Sequence, residues 1–163
     1  MGRSGLLPQG EKMLHFALQT GGASPITDDQ GSLGIAIFSS VLFDGTAGGL
    51  GDTKDIPLYL FNNDNTKKYN GPTLSINDGD PVALNTWFFM LNNNNVAGIS
   101  PTQSEWSTYG VAGNLTLTLG NITQSGGLTP ERKFWLRVVV PAGTLTANLT
   151  GVKLNAQSVE EAV

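Results

Sequence analysis

Cysteine is absent from the 163 residues, and histidine occurs once, at position 15. The first absence removes disulfide scaffolds, thiolate metal sites and cysteine nucleophiles together. The second leaves no His-rich metal centre and few means of base catalysis. Charge is also scarce: charged residues make up 13%, about half the usual share of a soluble domain. Lys and Arg number 9 against 13 Asp and Glu, a net charge of -4, and no basic stripe runs anywhere along the chain. That balance argues against sequence-independent binding to nucleic acid. No apolar run approaches the ~20 residues of a membrane-spanning helix. The start MGRSGLLPQGEKMLHF lacks the apolar stretch of a secretory leader, so synthesis in the cytoplasm without a membrane anchor is expected.

What remains is glycine, 21 residues of it, with many Asn, Thr and Ser. This mixture suits short strands joined by tight turns, with amides and hydroxyls supplying solubility. A chain of 17.2 kDa can bury one sizeable core. Residues 1–11 hold Gly2, Gly5, Pro8 and Gly10 around the pair Leu6 and Leu7, and read as an extended arm. Period-two alternation then begins, with Leu14, Phe16 and Leu18 on one face of a strand and Met13, His15 and Ala17 on the other. GIAIFSSVLF suggests another strand or a bent pair, and the glycine-rich DGTAGGLGDTKD a long turn. IPLYLFNN is apolar on both faces and is expected in the middle of a sheet. Turn clusters at Asn62–Asn65 and Asn77–Pro81 bracket a short strand at Thr73–Ile76, and Trp87–Leu91 is a second dense strand. Residues 92–113 show no clear period. NLTLTLGNIT alternates cleanly, KFWLRVVVP sets Phe134, Leu136 and Val138 opposite Trp135, Arg137 and Val139, and LTANLTGVKL closes the series. Seven to nine strands with no sustained helical period predict an all-β antiparallel sandwich over residues 12–157, followed by a short acidic tail at 158–163.

Chemistry-bearing residues are few, and each has a plain alternative. His15 lies in an alternating strand without a second histidine, which reads as a structural or exposed residue. Asn62–Asn65 and Asp78-Gly-Asp80 are oxygen-rich enough for Ca²⁺, but they lack the spaced ligands of a calcium loop and match ordinary turn chemistry. The carboxylates fall almost entirely in predicted turns, so a hydrolytic pair is not expected. Asn114, Asn121 and Asn148 fit the N-glycosylation pattern and read more simply as parts of Thr-rich strands. GTAGGLGD lacks the Lys-Ser/Thr ending of a phosphate loop. No enzyme activity, cofactor or metal is expected. Trp87 and Trp135 fall inside apolar strands and are read as core, whereas Trp106 and Tyr109 are candidates for contact with a partner, including stacking on a glycan.

Two segments carry a resemblance. DIPLYLFNNDNTKKYNGPTLSI resembles the early strand pair of immunoglobulin-like sandwiches, and RKFWLRVVVPAGTLTANLTGVKLNA resembles their closing pair. With the glycine-rich arm and amide-rich composition, the chain is similar to tailed-bacteriophage virion proteins, and within them to capsid decoration (cement) proteins. That resemblance implies a homo-oligomer, often a trimer, seated on the outer capsid surface of the virion, bound to the major capsid protein and to copies of itself without catalysis. Leu6, Leu7, Leu14 and Phe16 would then bury surface across subunit boundaries, at ~25 cal/mol per Å². The alternatives are a tail, baseplate or head-fibre component, or a carbohydrate-binding module using Trp106 and Tyr109.

Overall fold

The computed structural model describes residues 14–18, 20–23, 42–43, 52–78, 86–91, 102, 104, 111–112, 116–140, 147–148 and 152–163. Ten strands run through these residues: β1 Leu14–Ala17, β2 Leu42–Phe43, β3 Asp52–Asn62, β4 Lys67–Asp78, β5 Thr86–Leu91, β6 Val111–Ala112, β7 Thr116–Thr118, β8 Glu131–Val140, β9 Ala147–Asn148 and β10 Val152–Ala162. A 3₁₀ turn lies at Thr20–Gly22. One sheet has the order β1-β3-β8-β5-β6 and a second the order β10-β4-β7, while β2 and β9 form a separate pair. Every pairing is antiparallel.

The period-two pattern explains how the two larger sheets meet. Phe134, Leu136 and Val138 of β8 and Leu58 and Leu60 of β3 point to one side and are fully buried. They share a core with Leu74 and Ile76 of β4 and Leu154 and Ala156 of β10, so each sheet buries one face against the other. Phe134 is the centre of an aromatic group, with edge-to-face neighbours Phe16 at 6.1 Å on β1 and Phe89 at 6.2 Å on β5. The two-sided apolar strand expected near position 58 does lie inside its sheet, between β1 and β8.

Several expectations are corrected. Leu14 and Phe16, read as surface for a neighbouring subunit, belong to the core of their own chain, at 8% and 0% exposure. With β1 paired to β3, both side chains join the core cluster between the sheets, leaving almost no surface for a partner to cover. Leu18 does not continue that face: β1 ends at Ala17 and Leu18 is half exposed. Positions 52–55, expected at the end of the glycine-rich turn, are strand and pair with the far end of β8. The short strand at 73–76 extends over all of Lys67–Asp78. Residues 158–162, expected as a tail, are strand, since β4 is long enough to pair β10 through Ala162.

Candidate functional site

The outward face of the five-stranded sheet carries an apolar patch among charged side chains. Pro57 on β3 lies opposite Trp135 on β8, and Trp135 lies opposite Met90 on β5. Trp135 and Met90 are almost fully buried there and pack with Phe88. Lys133 sets its Nζ 5.4 Å from the centre of the Tyr59 ring and 5.5 Å from the Trp135 ring. Burial pulls its amine below the usual lysine range. Burial, with Glu131 second, pushes the Tyr59 hydroxyl up. A covered indole cannot stack on a sugar, so this face serves packing.

At one end of that face His15 meets Phe61 edge-to-face at 5.3 Å and donates from Nε2 to the Gly22 carbonyl at 3.4 Å. The Gly21 N–H donates to Glu131 Oε2 at 2.7 Å. The histidine thus steadies the 3₁₀ turn against the sheet.

The turn after β3 is built from two buried polar side chains. Asn62 donates from Nδ2 to the carbonyls of Lys67 (2.8 Å) and Thr123 (2.7 Å), and its Oδ1 accepts from the Asp64 N–H at 2.8 Å. Asp64 Oδ1 accepts from the Thr66 N–H and hydroxyl, at 2.8 and 2.7 Å, which holds its carboxyl below the usual range. These are the bonds of Asx turns, so the Asn-rich cluster ties two loops together. Among the described residues no three His, Asp or Glu come together as a metal site. Asn121 is likewise engaged, accepting from the Gly71 N–H at 2.9 Å.

The ribbon of β4 and β10 carries an exposed edge. Among the described strands β10 is the edge of its sheet, and every side chain from Gln157 to Val163 is exposed. Val159 and Val163 are 65% and 67% exposed, apolar side chains in open water. Glu160 bridges Lys67, and Glu161 bridges Lys68 at 3.0 Å. Hydrogen bonds from Lys68 and Asn70 lower the Glu161 carboxyl, while the bond to Glu160 raises the Lys67 amine. Both acids are therefore neutralised by their own neighbouring strand. Tyr69, buried opposite Glu160, has its hydroxyl pushed up to about 12 by desolvation first and then by Glu160 and Asp64.

Of the residues read from the sequence as contact points, Leu14 and Phe16 are core, while Leu6, Leu7, Trp106 and Tyr109 lie outside the described residues. Sequence reading missed the β10 edge. Its signal was present in the doublets Lys67-Lys68 and Glu160-Glu161, which match in charge when their segments pair antiparallel. Comparison with known proteins finds no matching family model, no matching curated protein and no matching solved structure.

Proposed function

We propose that the chain is a structural protein of a tailed-bacteriophage virion, a homo-oligomeric decoration protein seated on the outer capsid surface. The observation that carries the oligomeric part is the open β10 edge, whose acids are neutralised within the protomer and whose valines face water. An edge of this kind pairs readily with another chain unless charge or cover prevents it. The virion part rests on the resemblance of the two segments around β3–β4 and β8–β10 to immunoglobulin-like sandwiches and on the charge-poor, amide-rich composition. In this reading the sandwich is immunoglobulin-like, the arm at 1–11 reaches the major capsid protein through Leu6 and Leu7, and Trp106 and Tyr109 add partner contact. Such a protein acts mechanically: it joins neighbouring subunits and opposes rupture of the shell.

The test is the composition of particles purified from cells that produce the encoding genome. A decoration protein is found at a copy number near that of the major capsid protein, and a chain truncated to 12–163 folds but no longer sediments with the heads. Far fewer copies would move the protein to the tail, baseplate or head fibre. Absence from the particle would overturn the virion reading.

A further inference from the structure

The backbone bonds around β10 show which of its groups no described strand pairs. The Val163 N–H donates to the Thr66 carbonyl, and Tyr69 exchanges both its backbone bonds with Ile122 on the side away from β10. Bonds in an antiparallel ladder alternate, so Glu160 and Ala162 turn their N–H and C=O away from β4, toward the open side. On the other half of the strand, Leu119 donates to the Pro72 carbonyl. The same alternation then directs the backbone of Leu154 and Ala156 outward. Phase is kept across the register shift between Gln157 and Val159, so one row of donors and acceptors runs along the side that no described strand covers.

We infer that β10 pairs antiparallel with β10 of a second copy about a two-fold axis at Gln157, joining two three-stranded sheets into one of six. Three features select a copy of the same strand. Centred at position 157, an antiparallel copy brings position 153, a lysine, opposite position 161, a glutamate, and symmetry repeats the match. No like charges stand opposite each other in this register, whereas a parallel copy would set Glu160 and Glu161 against themselves. The lysines of β4 already neutralise these acids, which removes the repulsion that ordinarily guards an edge. Val159, left in water by its own chain, would be set opposite the partner's Asn155. The contact is isologous, so assemblies built on it contain even numbers of chains.

This inference rests on the homo-oligomeric reading and specifies its contact. The cysteine-free chain makes it testable with one thiol. Position 157 falls at a non-hydrogen-bonded pair, where Cα atoms approach to about 4.5 Å, within disulfide range. Under mild oxidation Gln157→Cys is expected to form a covalent dimer, and Thr73→Cys, one strand further in, to remain uncoupled. Gln157→Lys should weaken self-association by about fivefold through like charges at the axis. A native chain that is oligomeric by light scattering, but whose Gln157→Cys form couples no faster than Thr73→Cys, overturns the edge inference alone. So does a strict trimer. A native chain that stays monomeric, with no coupling, overturns the homo-oligomeric reading as well.

Discussion

Asp55 and Arg137 are 82 positions apart in sequence and directly opposite each other on β3 and β8, joined by two parallel bonds. Arg137 Nε donates to Asp55 Oδ1 at 2.6 Å and Nη2 to Oδ2 at 2.8 Å. Their side chains keep only 11% and 13% of their exposure, so neither charge is well solvated without the other. Asp55→Ala should therefore cost about 3 kcal/mol in urea unfolding, mostly because it takes the carboxylate and its two bonds from a largely buried guanidinium. Replacing both partners, as in Asp55→Leu with Arg137→Met, should recover part of that loss. A single variant no less stable than the native chain would show that solvent reaches the pair freely.

Gly21 and Gly22 separate backbone strain from crowding. Both have φ near +70°, a conformation that costs a side chain roughly 1–2 kcal/mol. A Cβ on Gly21 would meet open space, but one on Gly22 would lie 2.6 Å from Phe61 Cδ1 and 2.8 Å from His15 Nε2. Thermal melting should show a clearly larger loss for Gly22→Ala than for Gly21→Ala. Equal losses would mean that the 3₁₀ turn shifts without cost.

Phe16 tests whether β1 serves the core or a neighbour. Its ring is fully buried and packs edge-to-face on Phe134. Phe16→Ala should destabilise the fold by about 3–5 kcal/mol, whatever the protein concentration. A loss that disappears on dilution would return Phe16 to an interface.

Tyr69 governs part of the alkaline limb of stability. Its hydroxyl is raised from 10.0 to about 12 in the fold, so the folded state holds a proton that the unfolded chain releases first. Its contribution is full below pH 10 and is lost as pH rises through about 12. The raised Lys67 amine acts in the same direction. Tyr69→Phe should flatten the decline between these limits when unfolding free energy is followed against pH. At the acid end the sign reverses. Glu161 and Asp64 are held low, so their contribution is present above the usual carboxylate range and is lost as pH falls below it.

Alternation alone made most strands readable. Leu58 and Leu60, and Phe134, Leu136 and Val138, recur every second residue, and a buried sheet face imposes that period on any sequence that forms it. The Asn-rich turn after β3 was readable for a similar local reason, since Asn62 and Asp64 bond backbone within five residues of themselves. The missing cysteine likewise excluded disulfides and thiolate sites before any fold was known.

Pairing partners were a different matter. The same alternation in Leu14 and Phe16 is compatible with burial against β3 or against a neighbouring subunit, and only the position of β3 decided between them. Glu160 and Glu161 read as a solvated tail because an acidic segment carries no mark of the strand that will neutralise it. Lys67 and Lys68 lie more than ninety positions away, and contact over that distance depends on how the whole chain closes. Residue order along one strand is local and stays visible in the sequence. Which strands meet, and which edge is left open, depends on closing long loops around a shared core, and only the tertiary structure decided it.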